Sequence, residues 1–240
     1  MYHLPDLRKH LERLHAGHLL DIATGEGDFM HLLLESFSSW DSATGLDTSK
    51  ESMAAAKEKL AGYKVDFVQG SIRKLPFEEN YFDTVSVSNS LHHFEFPAKA
   101  LISMVRALAP GGLLLVNEMF RDGMNIAQQN HFRYHTLRSD IDTAKGIYHR
   151  PIYTLGELTA LFSEANIEID TNILSDNEMP ILNSKEKMWQ FFRRIDEMVA
   201  SASQFPHAAE YEERASELKE RIPSEGFQMP PQMAFLAYKA

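Results

Sequence analysis

Cysteine is absent from the 240-residue chain. That excludes disulfide staples, a thiolate nucleophile and any zinc or iron–sulfur site built on sulfur, and a reducing, cytoplasmic compartment is the expectation. Basic residues are outnumbered, with 24 Lys and Arg against 34 Asp and Glu and a formal charge of −10. Such a chain repels phosphate backbones and anionic bilayers at long range, so a nucleic-acid partner is not expected. No apolar run approaches the roughly 20 residues of a spanning helix. Met1 to Leu20 carries His, Arg, Lys and Glu where a signal peptide would be apolar, so membrane insertion is not expected either. Internal repeats and low-complexity tracts are also missing.

What is present is ordinary for a globular chain. The apolar fraction of 44% and charged fraction of 24% suffice for a sizeable core, and the length suits a single domain over residues 1–240 with appended helical pieces. Short apolar runs alternate with segments of helical period, the pattern of a doubly wound, mostly parallel α/β sheet. Strands are expected at 18–22, 42–46, 64–69, 83–88, 112–118, 167–174 and 232–238, seven in all. Helices are expected after the first strand, where Phe29, Leu32, Leu33 and Phe37 recur at helical spacing, and at 50–61, opened by Ser49. Another runs over 97–108 from Pro97. Thr154 with Glu157 reads as a capping box for a fourth, through about 165. Two stretches leave this alternation, 119–153 and 176–230. Both read as helical insertions covering one end of the sheet. In the second, Met188, Phe191 and Phe192 make an apolar stripe, and 208–221 a charged helix ended by Pro223 and Gly226.

The chemistry concentrates at Asp21-Ile-Ala23-Thr24-Gly25-Glu-Gly27-Asp28-Phe29, a glycine loop joining the first strand to its helix. Glycines let backbone approach a ligand closely, and the helix start offers free N–H groups. The third glycine of a dinucleotide fingerprint is replaced by Met30. Asp21, at the strand end, would repel a pyrophosphate and attract an ammonium group. That contrast favours S-adenosylmethionine over a nicotinamide dinucleotide. Asp47 lies twenty residues beyond Gly27 at the end of the second strand, where a carboxylate can accept hydrogen bonds from both ribose hydroxyls; alternatively Asp47, Thr48 or Ser49 caps the next helix.

Several blocks in order then carry a family resemblance: Leu19 to Phe29, Gly45 to Ser49, Leu75-Pro76-Phe77 through Phe82-Asp83, Leu91-His92-His93-Phe94, and Leu108-Ala-Pro-Gly-Gly112. The chain resembles the class I S-adenosylmethionine-dependent methyltransferases, in particular the branch that includes quinone-biosynthesis methyltransferases, over about residues 15–120. The resemblance implies that Asp21, Ala23, Thr24 and the Gly25 to Gly27 loop hold the methionine moiety of the cofactor. It implies that Asp47 and Thr48 hold the ribose, that Ser71 and Ile72 lie against adenine, and that Asn89 ends the fourth strand beneath the cofactor. Ser71 stands where the family usually has Asp, and a neutral acceptor makes the weaker hydrogen bond.

Methyl transfer to a small molecule, with S-adenosylhomocysteine as product, is the expected reaction. His92 or His93, after the fourth strand, is placed to act as general base or to shape the pocket. Glu118, at the end of the fifth strand, faces either solvent or the acceptor. His131, Tyr134 and His135 in the first insertion are placed to line an acceptor pocket. His131 and His135, four apart, share a helix face, but no third ligand is apparent and no metal is assigned. Two rival readings stay open. One is a protein that binds S-adenosylmethionine or S-adenosylhomocysteine without transferring methyl groups. The other is a nicotinamide-dependent reductase, disfavoured by Asp21, Met30 and the lack of a Tyr-x-x-x-Lys pair.

Overall fold

The computed structural model describes residues 4–176 and 180–240; three residues of the second insertion and the first three of the chain lie outside it. Seven strands form one sheet: β1 His18–Ile22, β2 Ser42–Asp47, β3 Val65–Gln69, β4 Phe82–Ser88, β5 Leu108–Met119, β6 Thr171–Ser175 and β7 Gln232–Tyr238. Their spatial order is β3-β2-β1-β4-β5-β7-β6. All pairings are parallel except those of β7, which runs antiparallel to both β5 and β6. The strand order reverses between β1 and β4, the switch point at which open α/β sheets bind ligands beyond their carboxyl ends.

Alternation along each strand sorts the core into two layers. Leu20 and Ile22 of β1, Leu114 and Val116 of β5, and Phe235 and Ala237 of β7 face one apolar layer with helices α4 (Pro97–Ala107) and α6 (Leu155–Glu164). Leu19, Leu113, Leu115, Ala234 and Leu236 face the other, with α1 (Pro5–Leu11) and α2 (Asp28–Ser36). Fully burying each of the leucine, isoleucine, valine and phenylalanine side chains is worth roughly 1.5–3 kcal/mol, so a one-residue slip in register would be penalised along every central strand. Helix α3 (Lys50–Lys59) is capped as its sequence suggests, the Ser49 hydroxyl accepting from the Ser52 N–H. In α6 the Thr154 and Glu157 capping box is complete.

Beyond β5, α5 (Ile126–Ala144), α7 (Lys185–Ala200) and α8 (Ala208–Glu225) build a third apolar cluster of their own around Leu137, Ile141, Ile195, Leu218 and Phe227. Met188, Phe191 and Phe192 pack against it. Expected boundaries move at three elements, the fifth strand beginning at Leu108 instead of 112. The sixth strand pairs only from Thr171, because Ile167 and Ile169 pack into the core on the way from α6 to the sheet edge. Helix α8 continues through Pro223 to Glu225. Proline in a final turn forfeits a single backbone bond, and the helix stops instead at Gly226, whose φ of +85° suits glycine. Among the described residues, no helix is long and apolar enough to cross a membrane.

Candidate functional site

At the switch point the chain turns out of β1 through Ala23, held at φ +54°. The Thr24 N–H donates to the Leu46 carbonyl and the Gly27 N–H to the Thr24 carbonyl, which closes the loop. Gly25 (φ +55°) and Gly27 (φ +80°) occupy conformations in which a side chain is strained. Asp47 organises this loop from the neighbouring strand. Its two carboxylate oxygens accept the N–H groups of Gly25 and Ser49, each at 2.8 Å. Across the gap, β4 ends at Ser88. Asn89 (φ +46°) accepts the Met119 N–H on its side-chain oxygen at 3.0 Å, and its own N–H donates to Asn117 at 2.8 Å.

These segments enclose a cleft of about 230 Å³ whose walls include Asp21, Ala23, Thr24, Gly25, Ser88 and Asn89. Five of the residues singled out from the sequence thus meet around one space. Asp21 is only 1% exposed. Burial pushes its carboxyl up to about 6, against the Ser86 hydroxyl that donates to it at 2.6 Å and the nearby Thr24 hydroxyl, with the Asp47 charge raising it further. The Thr24 hydroxyl lies in the same neighbourhood without making a well-formed hydrogen bond. Glu26 and Asp28 add carboxylates to the rim. Such a cleft disfavours a pyrophosphate and suits a cationic group. Donor chemistry, glycine loop and a carboxylate lacking a cation together fit the methionine end of S-adenosylmethionine. Thr48 is exposed and Ser71 half-buried at the ends of β2 and β3, outside the walls of this cleft. Ile72 is buried in the core layer beneath them.

The comparisons accord with this geometry. Residues 20–116 match the family described as a methyltransferase domain. That segment, about two fifths of the chain, is similar to a methyltransferase domain. It is 36% identical over 104 residues to the ubiquinone/menaquinone biosynthesis C-methyltransferase UbiE of Francisella philomiragia, covering 42% of each chain. It is 33% identical over 116 residues to the demethylmenaquinone methyltransferase of Staphylococcus aureus, covering 48% of each. The chain thus spans less than half the length of these relatives. At the level of fold, a methyltransferase-fold protein from Bacillus halodurans C-125 superposes over 98% of this chain and 97% of its own, with a TM-score of 0.64 at 16% identity. Haemonchus contortus phosphoethanolamine N-methyltransferase 2, solved with phosphomonomethylethanolamine and S-adenosylhomocysteine, covers 97% of this chain and 51% of its own with a TM-score of 0.56 at 19% identity. S-adenosylmethionine is the cofactor of this domain family.

The two candidate bases sit differently. His92, in the short 3₁₀ turn Leu91–His93, is 3% exposed, whereas His93 reaches solvent. Glu118 is fully buried, which overturns the reading of it as a solvated strand end. Its Oε1 accepts the N–H groups of Ser90 and Leu91 at 2.5 and 2.6 Å, and its Oε2 lies 3.3 Å from His92 Nδ1. This strand-end carboxylate therefore holds the histidine turn in place.

The three residues expected to share an acceptor pocket on α5 divide between two surroundings. His131 stacks on Phe227 with centroids 4.9 Å apart, and Tyr134 packs on Phe191 at 4.8 Å. Burial pulls the His131 imidazole down to about 4, a backbone hydrogen bond at Gln228 opposing it. His135 instead joins His92, His93 and a residue that no motif singles out, His149, with centroids 4.1 to 5.5 Å apart. His149 Nδ1 lies 2.7 Å from Asp142 Oδ2 and its Nε2 lies 3.3 Å from His135 Nε2. Desolvation first, and repulsion among the rings second, hold His93 and His135 well below the ordinary imidazole range. His149 is lowered too, burial outweighing its bond to Asp142. No spacing rule links a loop histidine to a turn more than fifty residues earlier.

Proposed function

We propose that the protein transfers a methyl group from S-adenosylmethionine to a small-molecule acceptor. The observation that carries this reading is Asp21, a buried carboxylate raised to about 6 on the wall of a glycine-lined cleft and in want of a cation. In this reading Asp21, Ala23, Thr24 and the Gly25 to Gly27 loop bind the methionine end, with the Asp21 carboxylate facing the ammonium group. Asp47, its oxygens already oriented by Gly25 and Ser49, keeps lone pairs for the ribose hydroxyls. Thr48 flanks it. Ser71 and Ile72 bracket the adenine, and Asn89 floors the cleft.

When bound, the cofactor supplies a methyl group that its sulfonium already activates. The chain has to bind, align and exclude water, and alignment alone can be worth roughly 7–11 kcal/mol. The acceptor half of the protein lies beyond the matched family segment, so the quinone rings named for the relatives are a starting class and not an inheritance. The helical assembly of α5, α7 and α8 beside the carboxyl edge of the sheet supports an enclosed acceptor site. His93, the exposed member of the histidine turn, is better placed than buried His92 to touch an acceptor.

Calorimetric titration with S-adenosylhomocysteine, with NADH as comparison and Asp47→Ala as site control, tests the proposal. Binding of S-adenosylhomocysteine alone, lost in the variant, is the expected result. Binding of NADH, or of neither ligand, would overturn it.

A further inference from the structure

Four imidazoles converge beside the cofactor cleft, and the reading above gives a part only to His93. We propose that His92, His93, His149 and His135 form a binding site for one divalent transition-metal ion of the zinc class, which favours nitrogen ligands. Among the described residues, His92, His93 and His149 each offer a ligand atom within 4.8 Å of the others. His135 Nε2, 3.3 Å from His149 Nε2, extends the set to four. Zinc–nitrogen bonds of about 2.0–2.1 Å in a tetrahedron put neighbouring ligand nitrogens about 3.3 Å apart. The His135–His149 pair already has that separation, and among His92, His93 and His149 the widest must close by about 1.5 Å.

The surroundings are those of a metal centre. A ligating histidine usually donates its other ring N–H to a carboxylate, which fixes the tautomer and leaves the opposite lone pair free. Here this occurs twice, His92 Nδ1 facing Glu118 and His149 Nδ1 facing Asp142. The two carboxylates also supply negative charge for a dication. Arg138 is the opposing charge, and its Nε lies 3.7 Å from Asp142 on an exposed side chain. His135 Nδ1 is buried without a hydrogen-bond partner, so metal-free packing leaves a polar atom uncompensated. Exposed His93 provides the route for an ion to reach the buried rings.

The site stands on the histidine geometry alone. Its role rests on the methyl-transfer reading: exposed His93 gives up its ligand position, and an ion held by His92, His135 and His149 at the carboxyl edge of the sheet would bind an acceptor oxygen there and increase its acidity. The chain then needs no separate histidine base.

The test uses tag-free, chelator-treated full-length protein titrated with Co²⁺, followed by the visible bands of tetrahedral cobalt and by their loss on adding Zn²⁺. One ion per chain is expected. His92→Ala and His149→Ala should each abolish the bands. Asp142→Asn, which acts through His149, should weaken binding about 10–100-fold. His207→Ala, on the surface, should change nothing. S-adenosylhomocysteine titration of every variant reports whether the fold and the neighbouring cleft survive, independently of metal. Absence of cobalt bands in a protein that binds S-adenosylhomocysteine, or equal cobalt binding by wild type and His149→Ala, overturns the metal site. Loss of S-adenosylhomocysteine binding in wild type overturns the methyl-transfer reading instead.

Discussion

The Ser86 hydroxyl donates to Asp21 Oδ1 across 2.6 Å, on adjacent parallel strands, and is a buried neutral partner for a carboxylate that would otherwise be stranded. One hydroxyl does not offset the loss of water. The carboxyl stays near 6, and the free protein holds in its cleft a charge that a cationic ligand would stabilise.

Asp21→Asn should therefore stabilise the ligand-free protein. A carboxyl raised from 3.8 to about 6 binds its proton more tightly when folded, so it destabilises the fold as pH rises through that interval and fully above it. At pH 8 the variant should gain up to roughly 3 kcal/mol, while at pH 4 the two proteins should be nearly equal. Urea denaturation at both pH values measures it. Equal stability at pH 8 would contradict the buried charge.

The same carboxylate makes cofactor affinity pH-dependent. A ligand ammonium group favours ionised Asp21, so S-adenosylhomocysteine affinity should be flat above about pH 7 and fall by about tenfold per pH unit below 6. Calorimetry from pH 5 to 8 should show this fall in wild type. Asp21→Asn should bind weakly at every pH and lose the dependence.

Glu118→Ala should be among the most damaging single changes. It leaves the Ser90 and Leu91 N–H groups buried without their acceptor and removes the partner of His92, a loss of about 3 kcal/mol or more. Glu118→Gln keeps an oxygen for the two donors and should lose less. The midpoints of urea unfolding should rank wild type, Gln, then Ala; an Ala variant as stable as wild type would remove the holding role.

Gly25→Ala and Gly27→Ala separate backbone strain from crowding. At Gly25 an added methyl meets only the Ala23 carbonyl at 3.9 Å, so the penalty is the positive φ alone, about 1–2 kcal/mol. At Gly27 it meets Leu60 Cδ1 at 3.0 Å and Ala56 Cβ at 3.2 Å as well. Gly27→Ala should therefore unfold at the lower temperature of the two, and the reverse order would assign the loop's glycines a different role.

The sheet was legible in the sequence because short apolar runs alternating with segments of helical period are local patterns that packing in layers turns into structure. The glycine loop, Asp21 and Asp47 were legible for a related reason: strand-end position and spacing fix their neighbours at the switch point. Glu118 stayed open between two readings because nothing local shows whether a strand-end carboxylate meets solvent, a ligand or the backbone of the next turn. Pairing His131 with His135 by helical spacing was sound as geometry but put them in one site, whereas neighbours from other elements draw one ring to Phe227 and the other to His149.

By itself the sequence determined the α/β alternation, the order of elements and the position of a ligand loop, all of which follow from short-range periodicity and conformational preference. Only the tertiary structure decided which polar groups are buried and with whom: that Asp21 lacks a cation, that Glu118 holds a turn, and that His149 meets His92, His93 and His135. Those contacts join residues up to 57 positions apart in the chain, from His92 to His149, and burial, the quantity that sets their charge and chemistry, exists only once the layers have closed around them.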